Sequence, residues 1–302
     1  MENIAIAVHG GAGQDSDFLK QNKQAFQDGL KEAVMHGYML LDKGGSALDA
    51  VEQVVRSLEN NHLFNAGRGS ALNNKGKVEM DASIMDGSKM TAGAVSIVTN
   101  VKNPITLARH IMEKTNHVMI SGKAALEFAK VQGIELAPDS YFITNHQYEE
   151  FEKCNKETAE NLYTKRTHGT VGAVAVDQNG NLAAATSTGG TSNCLDGRIG
   201  DSCIIGAGTY ANNETCAVSG TGDGEFLITG VVAHSISQAV FYKKCSLQEA
   251  CDLVIHNYNR NTKGDIGVIS VNRDGNFGIS FNSPRMNRAW MSKRTPLEIK
   301  IY

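Results

Sequence analysis

Hairpin signals constrain the fold of this chain more than any other feature of its sequence. Asp86-Gly87, Asn179-Gly180 and Asp274-Gly275 each stand between two short apolar runs, and such dipeptides are the ones that tight hairpin turns prefer. Hairpins join antiparallel strands, so the sheets are expected to be mostly antiparallel. Regular strand–helix–strand alternation is missing, which argues against a doubly wound dinucleotide-binding fold.

Alternating and continuous apolar runs predict the strands. The hairpin pairs are expected at 77–85 with 90–98, 170–176 with 182–187, and 266–271 with 277–281. Single strands are expected at 4–8, 204–210 and 216–219. A glycine-rich loop is expected at 9–13, either as a tight turn or as an anion-binding loop.

Apolar residues at helical spacing predict helices between these strands, over 26–41, 47–58, 104–112, 123–131, 226–240 and 247–258. Ser46 and Ser246 each precede an acidic residue by three positions, as helix N-caps do. Each sheet must bury a face against helices or against another sheet. The sequence therefore predicts an α+β fold, built as a helix–sheet–sheet–helix stack.

The composition excludes several classes of function. The chain has 302 residues, 41% of them hydrophobic, and a net charge of −3, which is ordinary for a soluble protein. It has no basic surplus for nucleic acid and no run near the ~20 apolar residues of a membrane span. The N-terminus lacks an export pattern, so a cytoplasmic location is expected. The six cysteines and nine histidines show no metal-ligand spacing, so free thiols and no zinc are expected.

The stretch 133–168 breaks the apolar pattern. Acidic and basic residues crowd into 149–166 with few apolar partners. This composition predicts a linker, either as an exposed mobile segment or as an isolated surface helix.

The linker ends at the peptide bond between Gly169 and Thr170, where a strand pattern begins. Glycine tolerates strained backbone angles, and the threonine hydroxyl can attack the carbonyl carbon before it. Cleavage would make Thr170 a new N-terminus, whose amine, with a pKa of about 7.7–8.0, suits a general base. The simpler interpretation is a Gly-Thr pair that opens an ordinary strand. If the chain is cut, residues 145–168 are expected to be exposed, mobile and dispensable.

Further polar clusters become candidate functional groups when they are considered together with this bond. Thr188 ends a strand, Asn65 lies in a glycine-dense loop, and 219–225 runs into a helix N-terminus that favours negative charge. Arg198 and Asp201 are three residues apart in another glycine-rich loop. Singly, each has a structural explanation, such as a strand-end hydroxyl or a surface ion pair. Together they offer a hydroxyl, a cation for a carboxylate, an anion for an ammonium and donors for an oxyanion, which an α-amino acid substrate would use.

With these motifs the chain resembles the isoaspartyl peptidase/L-asparaginase family, the plant-type asparaginases among the N-terminal-nucleophile hydrolases. The motifs follow the family's order over nearly the whole chain: HGGAG at 9–13, FNAGRG at 64–69, HGTVGAV at 168–174, TSTGG at 186–190, GRIGDS at 197–202 and GTGDGE at 220–225. The resemblance implies a four-layer αββα sandwich and one catalytic domain. It also implies self-cleavage into 1–169, with a linker over about 133–169, and 170–302, and a homodimer of these heterodimers.

The resemblance also implies roles for individual residues. Thr170 would be the nucleophile and, through its amine, the base. Arg198 would bind the substrate α-carboxylate and Asp201 the α-amine. Thr188 would assist the nucleophile and Asn65 would orient it. Thr221 and Gly222 would form the oxyanion hole. Gly222 and Gly224 would line the substrate site.

The resemblance implies no cofactor for catalysis but a structural sodium ion. Its ligands would be backbone carbonyls of Leu58, Glu59, Asn61, Phe64, Ala66 and Arg68. The expected activity is hydrolysis of the asparagine side-chain amide and of the isopeptide bond in β-aspartyl dipeptides, with release of aspartate.

Three alternatives to this activity remain open. Aspartylglucosaminidase is the nearest relative, but it usually carries Asp-Thr at the cleavage site and an export signal. A threonine endopeptidase would need an extended groove that nothing in the sequence indicates. A non-enzymatic ligand-binding protein would keep the loop at 9–13 but would not cut itself.

Overall fold

The computed structural model describes residues 3–156, 169–258 and 264–302. Its strands are β1 (Ala5–Gly13), β2 (Met80–Asp86), β3 (Thr91–Val98), β4 (Met119–Ser121), β5 (Val171–Val176), β6 (Leu182–Thr188), β7 (Thr209–Ala211), β8 (Ala217–Gly222), β9 (Ile266–Val271), β10 (Phe277–Phe281), β11 (Arg285–Ser292) and β12 (Glu298–Lys300).

The helices are α1 (Asp17–Gln21), α2 (Lys23–Asp42), α3 (Ala47–Glu59), α4 (Pro104–Lys114), α5 (Gly122–Val131), α6 (Asp139–Phe142), α7 (Asn145–Lys156), α8 (Gly224–Thr229), α9 (Val232–Lys243) and α10 (Leu247–Asp252). A 3₁₀ turn spans Asp201–Cys203 and a π-helical segment spans Leu253–Tyr258. The predicted caps at Ser46 and Ser246 are confirmed, since each serine hydroxyl accepts from the backbone N–H three residues on. No helix in these ranges is long and apolar enough to cross a bilayer.

The described strands form two sheets. The larger has the order β12-β11-β1-β5-β6-β2-β3-β4 and the smaller has the order β10-β9-β8-β7. Only β3 and β4 pair in parallel among the named strands. The three predicted hairpins, β2–β3, β5–β6 and β9–β10, are confirmed, as is the mostly antiparallel pairing.

Two hydrophobic cores hold the elements together. In the first, α2, α3 and α4 pack on one face of the larger sheet, with Leu30, Val54 and Ile105 fully buried. In the second, the other face of that sheet packs on the smaller sheet, whose far side is covered by α9 and α10. Strand β5 therefore contributes to both cores, because its side chains alternate between them.

The structure corrects the prediction for the chain ends. The expected loop at 9–13 is the second half of β1, with an irregularity in register between His9 and Ala12. It is held extended by β11, a strand that was not predicted because its polar Arg285, Asn287 and Arg288 conceal the apolar pattern. All three of those polar residues are buried.

Two further element predictions are wrong. The strand expected at 204–210 is limited to the short β7, which follows the 3₁₀ turn. The single helix expected at 226–240 is split into α8 and α9, because Val231 between them has a φ of 44°. A left-handed residue cannot continue a right-handed helix, so the chain turns there.

The linker region is more ordered than its composition indicated. Residues 145–156 form α7, and its start is packed rather than isolated, since the His146 ring stacks on Phe18 with centroids 3.6 Å apart. Gln147 Nε2 donates to the carbonyl of Gly69 at 2.9 Å, and Phe142 just before it is 1% exposed. The predictions of an isolated helix and of a wholly exposed segment are therefore wrong for this part. Residues 157–168 lie outside the described residues.

Candidate active site

Thr170 lies immediately before β5 and next to the last residue of β6. Its side chain is buried, and its Oγ1 is 3.4 Å from the Oγ1 of Thr188. The hairpin brings the two threonines together because β5 and β6 pair from Val171 and Ser187 onward. The predicted pairing of Thr170 with Thr188 is thus present in the structure.

The carbonyl of Gly169 receives two side-chain donors. Asn65 Nδ2 donates to this oxygen at 2.9 Å, and Thr188 Oγ1 donates to it at 3.0 Å. Attack on this carbonyl by Thr170 would place negative charge on the same oxygen. Donors already aimed at such an oxygen are what an oxyanion hole requires.

Asn65 is held in this orientation by the loop between α3 and β2. Its Oδ1 accepts from the N–H of Ala71 at 2.7 Å, and its Nδ2 also donates to the carbonyl of Gly190 at 2.7 Å. Its own carbonyl accepts from the N–H of Gly189 at 3.0 Å. These contacts fix which end of the amide faces Gly169.

His9 holds the carbonyl of Thr170, a contact that the sequence did not reveal. Its Nδ1 lies 2.9 Å from that oxygen and its Nε2 lies 2.9 Å from Ser219 Oγ. A carbonyl oxygen only accepts, so Nδ1 carries the proton and donates. Burial lowers the pKa of His9 to about 3, so the ring is neutral and Nε2 accepts from the serine hydroxyl.

A chain of buried hydroxyls continues from that histidine across the sheets. Ser219 Oγ is 2.7 Å from Thr186 Oγ1, which is 2.6 Å from Thr209 Oγ1. Ser83 Oγ links Thr209 to the carbonyl of Ser202, at 2.8 and 2.6 Å. The network therefore connects the backbone at the start of β5 with the turn that follows Arg198.

Thr221 and Gly222 end β8 beside the part of β1 that approaches the same peptide bond. Thr221 is fully buried, and its Oγ1 accepts from the N–H of Ala12 at 3.1 Å. The neighbouring Gly11 approaches the bond so closely that a Cβ there would stand 3.2 Å from the Cα of Gly169. Strand β1 thus bridges the proposed oxyanion residues and Gly169.

Arg198, which the resemblance assigns to the substrate α-carboxylate, has a partner within the protein. Its Nε and Nη2 donate to the two carboxylate oxygens of Glu225 at 3.0 and 2.8 Å. The Arg198 side chain is 14% exposed and that of Glu225 is 58% exposed. The two side chains form a clamp, that is, a bidentate ion pair, at the rim of the site. Sequence analysis did not identify Glu225 because its contact with Arg198 depends on the turn between β8 and α8.

Asp201 is buried beside this clamp, so the alternative of an exposed Arg198–Asp201 surface pair is wrong. Its Oδ2 has no hydrogen-bond partner in the described part of the chain, and burial raises the pKa of Asp201 to about 7. A Cβ on Gly224 would lie 2.9 Å from Asp201 Oδ1 and 2.8 Å from Arg198 Nη2, so a larger residue there would displace both charged groups. An ammonium group would supply the donor that Asp201 lacks.

Asp81 is a further acid of the site that sequence analysis overlooked. Its Oδ2 accepts from the N–H of Gly200 at 2.9 Å and its Oδ1 from that of Ile97 at 3.0 Å. It lies opposite Thr188 in the β2–β6 pairing, and burial raises its pKa to about 6. The sequence signal that could have identified Asp81 is an acidic residue within the mainly apolar run 80–85. Asp81 anchors the loop that carries Arg198.

The loop after α3 is built largely from backbone hydrogen bonds. Its carbonyls at Leu58, Glu59, Asn61 and Phe64 each accept a backbone N–H, from Asn61, Arg68, Phe64 and Ala66 respectively. Each oxygen keeps a second lone pair, and carbonyl oxygens are ligands that hard cations prefer. Residues 3–156, 169–258 and 264–302 contain no cluster of three or more His, Cys, Asp or Glu suited to a metal.

The Glu59 side chain braces this loop from inside the protein. Its carboxylate is fully buried and accepts from Ser187 Oγ at 2.7 Å, from the N–H of Ile105 at 3.0 Å and from Asn103 Nδ2 at 3.0 Å. Burial raises the pKa of Glu59 to about 7. The carboxylate ties the end of α3 to the start of α4 and to β6, one residue before Thr188.

Comparison with known proteins gives a consistent result. The asparaginase family model matches residues 2–301. An isoaspartyl peptidase/L-asparaginase of Xenopus laevis is 44% identical over 298 residues, which cover 98% of this chain and 94% of the relative. An isoaspartyl peptidase of Escherichia coli (strain K12) is 42% identical over 96% of this chain and 93% of its own length. A probable isoaspartyl peptidase/L-asparaginase 2 of Arabidopsis thaliana is 41% identical over the full length of both chains. The chain belongs to the asparaginase family, a family of hydrolases.

Proposed function

We propose that this chain is a self-processing threonine hydrolase that cleaves the side-chain amide of L-asparagine and the isopeptide bond of β-aspartyl dipeptides, releasing L-aspartate. The observation that carries the proposal is the carbonyl of Gly169, which accepts from both Asn65 and Thr188 beside the hydroxyl of Thr170. The relatives named isoaspartyl peptidase or L-asparaginase support the substrate class.

The proposal includes the architecture of the N-terminal-nucleophile hydrolases. The packing of helices on both outer sides of two contacting sheets supports a four-layer αββα sandwich. A single catalytic domain would be cut into 1–169 and 170–302, and two such pairs would form a homodimer in the cytoplasm. The cut would fall between the linker and β5, a central strand of the larger sheet. Both products would therefore still contribute to the same hydrophobic cores.

Self-cleavage would proceed as an acyl shift followed by hydrolysis. Thr170 Oγ1 attacks the carbonyl carbon of Gly169, and its proton passes to the departing nitrogen of Thr170. Asn65 and Thr188 stabilise the oxyanion, and the ester that forms is hydrolysed by water. The products are a carboxylate on Gly169 and a free amine on Thr170.

The freed amine would then serve as the base of the hydrolytic reaction. Arg198 binds the α-carboxylate of the substrate and Asp201 its α-ammonium, so only the β-carbonyl can reach Thr170. Thr221 and Gly222 stabilise the tetrahedral oxyanion, Gly224 leaves room for the amino group, and the amine or ammonia departs. Water activated by the same amine releases aspartate from the β-aspartyl ester.

Two features of the structure refine this scheme. Glu225 occupies the guanidinium edge of Arg198 that a substrate carboxylate would use, so the two carboxylates compete for it. A sodium ion held by carbonyls of the 58–68 loop would stabilise the loop that carries Asn65. It would take no part in bond making.

The test combines a denaturing gel with an activity assay on β-aspartyl dipeptides, asparagine and a glycosylated asparagine. Thr170→Ala is expected to stay whole and inactive, Thr170→Ser to keep some cleavage and hydrolysis, and Thr170→Cys to cut because a thiol can attack. The rate is expected to fall as the pH drops through the amine pKa of about 7.7–8.0. Full-length protein that never splits and still hydrolyses β-aspartyl dipeptides would refute self-processing. Preference for the glycosylated substrate would instead favour an aspartylglucosaminidase.

A further inference from the structure

A cavity of about 80 Å³ lies beside Gly169, on the side formed by Asn65. Its walls come from the start of the chain, the loop after α3, the first turn of α7 and strand β11. The lining residues that bear on its chemistry are Asn65, His146, Gly169, Arg285 and Asn287.

The cavity has one permanent charge, and it is positive. Neither aspartate nor glutamate is among the lining residues, and Arg285 is the only lysine or arginine. The other titratable side chain is His146, whose pKa is lowered by burial, so its ring is neutral at pH 7. The electrostatic field in the cavity therefore favours an anion.

Arg285 is buried without a matching acid. It is 8% exposed. Its Nε donates to the carbonyl of Gln14 at 2.9 Å, and its Nη1 lies 3.5 Å from Asn287 Oδ1. It forms no ion pair with any carboxylate of the described residues. Asp15, which pairs with Lys20, and Asp265 attract the guanidinium without contacting it. A buried guanidinium with no carboxylate in contact is costly, so a carboxylate from outside the chain that reaches it would be stabilised there.

The position of the cavity suits one part of the proposed substrate. The α-groups of the aspartyl half are assigned to Arg198 and Asp201, neither of which lines the cavity. In the substrate, the departing amine is bonded to the reacting carbonyl on the side away from the aspartyl α-groups. The cavity is lined by Gly169, the residue whose carbonyl carbon Thr170 would attack during self-cleavage.

We propose that Arg285 binds the carboxylate of the departing amino acid in a β-aspartyl dipeptide. The inference rests on the proposed function and narrows it. A guanidinium pairs with a carboxylate through two parallel hydrogen bonds. Ammonia, which leaves from asparagine, has no such group. Arg285 thus favours β-aspartyl dipeptides with a free C-terminal carboxylate over asparagine.

The test compares β-aspartyl-alanine with its C-terminal amide, which lacks the carboxylate. The self-cleaved wild type is expected to prefer the acid by about tenfold or more in kcat/KM, as a charge-assisted hydrogen bond is worth about 1.5–3 kcal/mol. Arg285→Gln is expected to bring the acid-to-amide ratio close to one, mainly through KM for the acid. Arg285→Lys keeps the charge and is expected to retain part of the preference.

Arg294→Gln is the matched control, since it removes an exposed arginine shortly after β11 that bonds to Asn3 Oδ1. Its acid-to-amide ratio is expected to equal that of the wild type. Equal rates for acid and amide in the wild type would overturn the inference without any variant, as would an unchanged ratio in Arg285→Gln. Equal rates for acid and amide would also be expected if Arg285 instead binds the carboxylate that self-cleavage creates on Gly169. A wild type that hydrolyses neither dipeptide nor asparagine would refute the proposed function itself.

Discussion

Replacing Thr188 by valine tests the oxyanion hole for self-cleavage most directly. The change keeps the shape of the side chain and removes one of the two side-chain donors to the carbonyl of Gly169. Loss of one oxyanion-hole donor costs about 3 kcal/mol, and each ~1.36 kcal/mol is tenfold in rate. Self-cleavage of Thr188→Val is therefore expected to be about 100-fold slower, while Thr188→Ser restores most of the rate.

The variant also loses a structural contact, which requires a control. Thr188 Oγ1 accepts from the N–H of Gly190 at 3.1 Å, so the melting temperature is expected to fall by a few degrees. Thr186→Val removes a fully buried hydroxyl from the same face of the same strand, and that hydroxyl bonds to Gly208 and Ser219 rather than to Gly169.

The assay is a time course on a denaturing gel with freshly purified protein, together with the melting temperature of each variant. If Thr186→Val and Thr188→Val cleave at equally reduced rates, the effect is one of stability. If Thr188→Val cleaves as fast as the wild type, the hydroxyl does not stabilise the oxyanion and the reasoning fails.

Three other predictions concern the substrate end of the site. Arg198→Ala is expected to cleave itself normally but to raise KM for β-aspartyl dipeptides by about ten- to a hundredfold, since a charge-assisted hydrogen bond is lost; unchanged kinetics would remove Arg198 from the site. Glu225→Gln is expected to lower KM in the same assay because it weakens the competitor for Arg198, and an increased KM would mean that Glu225 orients the guanidinium instead. The pKa of Asp201 is raised to about 7 by burial, so the folded protein holds this proton more tightly than the unfolded chain. Its contribution to stability is full below about pH 4 and is lost as the pH rises through about 7. Asp201→Asn should therefore reduce the decline in melting temperature between pH 4 and pH 8, and an unaltered pH profile would contradict this.

Local chemistry determines much of the fold of this chain. Turn dipeptides such as Asn179-Gly180 act over a few residues, so the hairpins they predicted are present with the expected partners. The caps at Ser46 and Ser246 are equally local and are confirmed. Thr170 and Thr188 lie at the ends of strands joined by one hairpin, so the contact that the family resemblance implied between them is also a local one.

Long-range pairing decided what the sequence could not. Strand β11 was missed, and with it the extended half of β1 and the buried Arg285, because burial of a polar strand depends on its neighbours and not on its own periodicity. The bonds from Asn65 to Gly169 and from His9 to Thr170 join residues 104 and 161 positions apart. Such contacts exist only once both cores are packed.

The same limit applies to charges. The sequence identified Arg198 and Asp201 as a cation and an anion near each other, but their partners follow from the turn at Glu225 and from burial against Gly224. By itself, the sequence determined the hairpin framework and the residue types that the chemistry needs. Only the tertiary structure decided which donors face the carbonyl of Gly169 and which charges remain unpaired, because these depend on distances of a few ångströms between segments far apart in the chain.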